Sequence, residues 1–316
     1  MKKVLDVIVV GELNVDLIIN KIESFPEIGK EKLAEEMTLT LGSSTAIFAS
    51  NLSVLGTAVG FIGKIGNDSF GELVVESLNN KNVNTDLIIR DDIEKTGATI
   101  VLNFNEDRAM VTYPGAMEKL TIKDIKAEDL KRFRHLHFSS FFLQPGINND
   151  TVKLFKTAKE LGLTTSMDPQ WDPAERWEMD LVKLLPYVDL FMPNTAELLN
   201  LTKEYNIENA FNHIRKYAKT VVVKNGNKGS IVFSNGKMIA KEAFLNTNVV
   251  DAIGAGDSFD AGFISKYISG STLEECQEFG NLIGAVSTTA AGGTGAFNSY
   301  DNVKKISVEK FQYSFN

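Results

Sequence analysis

A single cysteine, Cys276, occurs in 316 residues. A lone thiol cannot close an internal disulfide, so nothing in the chain asks for an oxidising compartment. Histidine is almost as scarce, with His135, His137 and His213 the only three. That supply is too thin for a structural zinc site. Positive charge is in deficit as well: 33 Lys and Arg against 41 Asp and Glu leave a net charge of −8. Nonspecific binding to nucleic acid or anionic membrane needs the opposite balance, so neither is expected as a partner. The longest uncharged stretch, 279–300, is filled with Gly, Ser and Thr and does not read as a membrane span. Met1–Val10 joins two lysines to an apolar run, but Asp6 breaks it and Gly11-Glu12 follow too soon for a signal peptide. The expected location is the cytoplasm. The seven prolines do not cluster, and no repeat or linker stands out, which favours one continuous domain over 1–316.

What the chain does have is alternation. Hydrophobic residues make up 43% and charged residues 23%, enough apolar material for a large core. Short Val/Ile-rich runs (7–10, 60–62, 136–142, 163–167, 188–192 and 221–223) alternate with segments of helical spacing (44–55, 70–79, 149–161, 195–201 and 209–217). This pattern predicts an α/β fold, a mostly parallel doubly wound sheet covered on both faces. Two stretches break the rhythm. Residues 31–41 and 97–113 alternate apolar and polar residues without a helix between, as in a small added antiparallel sheet; Asn105-Glu106-Asp107 would turn the second. Residues 230–244 read as a hairpin turning at Asn235-Gly236. His135 and His137 share one face of their strand, in packing or surface roles rather than as metal ligands.

The strongest chemical signal is Asp251-Ala252-Ile253-Gly254-Ala255-Gly256-Asp257-Ser258-Phe259. The glycines let the backbone turn closely, and an apolar stripe from Phe259 to Ile268 predicts a helix starting near Asp257. A helix N-terminus of this kind presents free N–H groups and the positive dipole end, an anion site. Asp257 beside it can take a proton from an alcohol while the N–H groups hold the charge of a moving phosphoryl group. A plain glycine turn with Asp257 as a cap fits the same residues equally well.

The run Asp251–Gly262 resembles the signature of the ribokinase-like, or phosphofructokinase B, carbohydrate kinases. Four further stretches resemble that family in the family's order: Gly11-Glu12-Leu13-Asn14-Val15-Asp16, Gly63–Gly71, Asn194-Thr195-Ala196-Glu197 after Pro193, and Lys224-Asn225-Gly226-Asn227-Lys228-Gly229. The resemblance implies a three-layer αβα domain with a small β-sheet lid, its strands from about 13–41 and 92–118. It implies transfer of a phosphoryl group from ATP to a hydroxymethyl group, with Asp257 as base and the backbone of Gly254, Ala255 and Gly256 as the anion hole. Asn14, Asp16, Gly42, Ser43 and Ser44 would bind the sugar. Apart from the resemblance, Arg108 follows the expected lid turn, where it can stand solvated on the lid or reach a substrate carboxylate or phosphate. Asn194, Lys224, Gly226, Gly229 and Asn281 would border the nucleotide. Glu197 would hold Mg2+ through water; Asn194 and Glu197 also satisfy a helix capping box, which needs no function. Asp251 and the Ile253 carbonyl, with the 290–295 loop, would hold a monovalent cation such as K+. The resemblance further implies a homodimer through the lid.

The chain departs from the family in places. Leu41-Gly42-Ser43-Ser44-Thr45-Ala46-Ile47 has Ser43 where a second Gly is usual and Ile47 where Asn often stands, which counts against ribose. Met167–Trp177 is somewhat similar to an Asp-Pro-Asn-x-Arg region of fructokinase-type members, and Trp171 or Trp177 can cover a sugar face or anchor a domain edge. The expected substrate is a small sugar, a hexose such as fructose before a pentose. A nucleoside kinase of the same fold, with Phe25, Phe104 and Tyr113 around a base, and an inactive nucleotide- or sugar-binding regulator are the rivals.

Overall fold

The computed structural model describes residues 5–104 and 107–315. Fourteen strands are found among them. An eight-stranded sheet runs in the order β14 (Lys237–Lys241), β13 (Ser230–Ser234), β12 (Thr220–Lys224), β11 (Leu190–Phe191), β10 (Thr164–Asp168), β9 (Phe133–Ser139), β1 (Leu5–Val10) and β4 (Val59–Ile62). From β12 to β4 all pairings are parallel; β13 and β14 add an antiparallel hairpin at the edge. A second sheet of four strands runs β3 (Ala34–Leu41), β2 (Asn14–Ile22), β7 (Gly97–Phe104), β8 (Asp107–Tyr113). The short strands β5 (Lys64–Gly66) and β6 (Ile89–Asp91) pair with each other.

The residues explain the layers. In β1, alternate side chains go to opposite faces, and from Val7 to Val10 both faces are buried, so that run is wholly apolar. Ile8 and Val10 join Leu136, Phe138, Met167 and Phe191 under the helices Thr151–Glu160, Thr195–Thr202 and Ile207–Ile214. Val7 and Val9 join Val222 on the other face, under Ser44–Val54 and Ala255–Ile268. A third cluster packs Leu273–Ser287 against Tyr300–Phe311. Three layers around a mostly parallel sheet result, as the alternation predicts.

His135 and His137 do share a face, and both are buried. His137 stacks on Phe48 at 3.9 Å, and both rings bond to Ser166 Oγ, at 2.7 and 2.8 Å. Burial holds His135 far down, at about 3, so the pair is neutral packing.

The hairpin at Asn235-Gly236 is present, with both residues at positive φ, as a tight two-residue turn requires. The strand expected over 136–142 stops at Ser139, because Ser140 turns to φ 59° and 141–143 form a 3-10 turn. The strand expected over 188–192 keeps only Leu190–Phe191. Asn105 and Glu106 lie outside the described residues, as does the Arg108 side chain. No helix among the described residues is long and apolar enough to cross a membrane.

Candidate active site

The carboxyl ends of β1, β9, β10 and β12 meet on one edge of the main sheet, where open α/β sheets place their ligand crevice. A cavity of about 1340 Å³ opens there, lined by residues of both larger sheets.

At one end, Asn14 and Asp16 leave β2 on the same face. Asn14 Nδ2 donates to Thr99 Oγ1 at 2.9 Å and to Asp16 Oδ1 at 3.2 Å. Burial, with the charge of Glu12, raises Asp16 to about 6 against the donated hydrogen bonds. Gly42 is required here: a Cβ would collide with Asp16 Oδ1. Ser43 sits at φ 70°, which shows why glycine is usual at this position. Its hydroxyl is already committed. It caps the Ser44–Val54 helix by accepting from Ala46 N at 2.9 Å, and it donates to Glu12 O at 2.7 Å. Ser44 lines the cavity with Thr112 and Asn148. Glu12 is buried under this loop, bonded to Ser43, to Thr45 N and to Thr45 Oγ1. Trp171 meets Trp177 edge to face at 4.9 Å, and Trp177 meets Phe142 at 5.6 Å, forming an aromatic wall. Trp171 is 46% exposed and Trp177 is 8%, so Trp171 is the accessible ring and Trp177 its support.

In the middle stands Asp257, on the first turn of Ala255–Ile268. Gly254, at φ 74°, begins that helix with no side-chain cap. Ala255 N makes a 3.3 Å turn contact to Ala252 O. Ile47 packs over Gly254 and Gly293, where an added Cβ would run into it; this aliphatic side chain wedges the turn instead of contributing a polar group. Asn51 Nδ2 ties the same region together, donating to Ser258 Oγ and to Gly293 O at 2.9 Å each. Asp257 is buried. Burial and then the charge of Asp168 push its carboxyl well above the usual range, with Glu12 adding to this and Lys224 and Gln170 opposing it.

Lys224 is less open than a free nucleotide contact. Its Nζ donates to Asp168 Oδ2 at 2.6 Å and to Asp260 Oδ2 at 3.0 Å. Burial opposes its charge, yet Asp168, Asp260 and Glu197 hold the ammonium above lysine's ordinary range. A Cβ on Gly256 would lie 3.7 Å from this Nζ, so the cation stands beside the helix turn.

At the far end, Asn194 and Glu197 form a reciprocal capping box. Glu197 N donates to Asn194 Oδ1 at 2.9 Å, and Asn194 N to Glu197 Oε2 at 2.8 Å. Both still line the cavity. Burial and Asp168 raise Glu197 to about 7. Gly226 and Gly229 hold positive φ in the turn after β12, and Gly229 presses against Lys241 O. Asn281 is buried and donates to Glu242 O at 3.1 Å. Asp251 accepts from Ile253 N and Gly292 N at 2.9 Å each, which brings its carboxylate to the 290–295 loop.

Of the predicted site residues, Asn14, Asp16, Ser43, Ser44, Asn194, Glu197, Lys224, Gly226, Gly229, Ile253–Asp257 and Asn281 line this cavity. Sequence reasoning missed the roles of Asp168, Gln170 and Asp260, which surround Asp257 and Lys224. Their only signal is an acidic residue at a strand end and another one turn beyond Asp257. Arg90 is engaged elsewhere, donating from Nη1 and Nη2 to the Glu72 carboxylate at 2.7 and 3.0 Å.

Comparison with known proteins bears on the family and the fold. The profile described as pfkB family carbohydrate kinase matches residues 4–299. An uncharacterized sugar kinase of Archaeoglobus fulgidus is 30% identical over 234 residues, covering 74% of this chain and 92% of that one. A 5-dehydro-2-deoxygluconokinase of Geobacillus thermodenitrificans is 25% identical, covering 96% and 94%. The structure of Arabidopsis thaliana ribokinase complexed with ribose and ATP superposes with a TM-score of 0.82 at 25% identity, covering 96% and 98%. The chain belongs to the pfkB family of carbohydrate kinases.

Proposed function

We propose that this cytoplasmic protein transfers the γ-phosphoryl group of ATP to a hydroxymethyl group of a small, six-carbon sugar. The observation that carries the reading is Asp257: a buried carboxylate at an uncapped helix N-terminus, facing the cavity beside Gly254, Ala255 and Gly256. The substrate hydroxyl bonds to Asp257, which orients it and accepts its proton as the oxygen–phosphorus bond forms and the bond to ADP breaks. The helix N–H groups stabilise charge on the transferring group. Asn14, Asp16 and Ser44 hold the sugar hydroxyls. Gly42 gives the backbone room beside them, while Ser43 serves through its cap. The nucleotide lies along Asn194, Lys224, Gly226, Gly229 and Asn281.

Glu197 offers hard oxygen donors on the cavity wall, which fits a Mg2+ shell held through water. That ion would neutralise the ATP phosphates. Asp251 keeps lone pairs beyond its two N–H contacts, which fits a K+ site with the Ile253 carbonyl and the 290–295 loop.

The second sheet, from 13–41 and 92–118, is the lid of a single 1–316 domain. Its outer side exposes Met37, Ile100 and Val111, at 68%, 43% and 69%, which supports pairing with the lid of a second copy. Light scattering that finds only monomer removes the dimer.

A sugar acid is the second reading, favoured by Arg176 on the cavity wall. A nucleoside is disfavoured: Phe25 and Phe104 pair with each other at 5.7 Å, and neither they nor Tyr113 is among the described cavity residues. An ATP-consumption screen over sugars, sugar acids, sugar phosphates and nucleosides, with Mg2+ and with or without K+, tests the reading. Turnover of a six-carbon sugar or sugar acid is expected. Turnover of nucleosides alone, or of nothing, would overturn it.

A further inference from the structure

The loop after β10 places one side chain between two carboxylates. Gln170 Nε2 donates to Asp257 Oδ1 at 2.8 Å and to Asp168 Oδ2 at 2.6 Å. Asp168 Oδ2 also takes Lys224 Nζ, which goes on to Asp260. A continuous chain therefore runs Asp257–Gln170–Asp168–Lys224–Asp260, closing from one turn of Ala255–Ile268 to the next. Gln170 lies 87 positions from Asp257 in sequence, so only the fold brings them together.

The backbone at Gln170 is costly. Its φ is 60°, left-handed, where a residue with a Cβ is disfavoured. The loop is nevertheless held in place. Asp172, buried, accepts from Ala174 N, Arg176 N and Trp177 N at 2.7–2.9 Å. Gln170 N donates to Asp168 Oδ1 at 3.3 Å. Glycine would suit this backbone better, so the amide side chain is the part that has a use.

We infer that Gln170 is a positioning residue for Asp257: its amide fixes the carboxylate's orientation and gives each of two facing carboxylates the hydrogen bond that its ionised form needs. The inference rests on the reading of Asp257 as proton acceptor. An amide suits the task because it has two N–H donors and no charge to neutralise the base. Among the described residues, the cation that faces the group is Lys224, from β12. Asp168 faces it from β10 and Glu12 from the end of β1; Asp260, one turn on in the same helix, and Glu197 act on the set through Asp168 and Lys224. Carboxylates outnumber cations around Asp257, so losing the amide's hydrogen bond leaves its proton held more tightly.

The test compares wild type with Gln170→Gly, Gln170→Leu and Asp257→Asn. It measures melting temperature, KM for ATP, and kcat across about pH 5 to 9. In both Gln170 variants kcat near neutral pH falls about tenfold to a hundredfold, and the acid limb moves up by about one pH unit. The loss shrinks toward the alkaline end, and KM for ATP stays within about twofold. Gln170→Gly melts at or above the wild-type temperature, because glycine accepts the left-handed backbone. A wild-type acid limb in either variant, or a loss of rate equal at every pH, overturns the role of Gln170. If Asp257→Asn is inactive while the Gln170 variants keep the wild-type limb, this inference alone fails. If Asp257→Asn keeps wild-type turnover, the proton-acceptor reading fails first.

Discussion

Two regions of the cavity are built in contrasting ways. Around Asp257 the groups proposed to react come from one contiguous run, Gly254–Asp257, and the backbone supplies most of it: a left-handed glycine, an uncapped helix start and a carboxylate on its first turn. Around Asn14 and Asp16 the groups come from scattered places: the end of β1, the start of β2, the loop before Ser44, β7 and β8, and the loop after β10. The first region is anchored from beneath by Ile47, Asn51 and Lys224. The second rests on the small sheet, whose outer strand β3 is exposed over most of its length. On the proposed function, chemistry is fixed in one short segment, while selectivity is spread over many elements that can change one at a time.

Substitutions can sharpen or break this contrast. Asp257→Asn should have the largest effect: kcat falls about a thousandfold, with ATP affinity by calorimetry little changed. Lys224→Met should act on folding as much as on activity. It leaves Asp168 and Asp260 facing each other, buried with no cation between them, and should cost about 3–5 kcal/mol in urea unfolding. At the other end, Asn14→Ala should raise the sugar KM about tenfold to a hundredfold and lower kcat much less, since it removes binding rather than the base. If kcat falls there as steeply as in Asp257→Asn, the two regions are not separable.

The pH dependence discriminates next. Asp16 is raised to about 6, so it takes up a proton as pH falls through that value and loses an acceptor for sugar hydroxyls. The sugar KM should therefore rise as pH drops below about 6 in the wild type and stay flat in Asp16→Asn. The same shift has a sign for stability. The folded form holds the proton more tightly than the unfolded chain, so the contribution of Asp16 is present below the ordinary carboxylate range and lost as pH rises through about 6. Ser43→Gly should give the smallest change, within about 1 kcal/mol, because relief at positive φ offsets the lost cap.

What was legible in the sequence follows the same division. The Gly254–Asp257 turn, the Asn194/Glu197 capping box and the Asn235-Gly236 hairpin are local, with partners within a few residues, and each is found where its spacing places it. The buried chain through Gln170, Asp168 and Lys224 was not legible. Lys224 meets Asp168 across 56 positions, and no periodicity marks such a pairing. Apolar runs also overstate strands. Phe141 and Phe142 continue the hydrophobic pattern of β9, but Ser140 turns the chain into the cavity wall. Ser43 had to be seen in place before its hydroxyl could be assigned to the helix cap and Glu12.

The central claim is that the cavity joins ATP to a sugar hydroxymethyl group, and phosphorus NMR of the reaction with the best acceptor tests it most directly. A new phosphomonoester signal split by two methylene protons, growing as the γ-phosphoryl signal of ATP falls, is the predicted result. Release of inorganic phosphate alone, or a phosphoester on a ring hydroxyl, would contradict it.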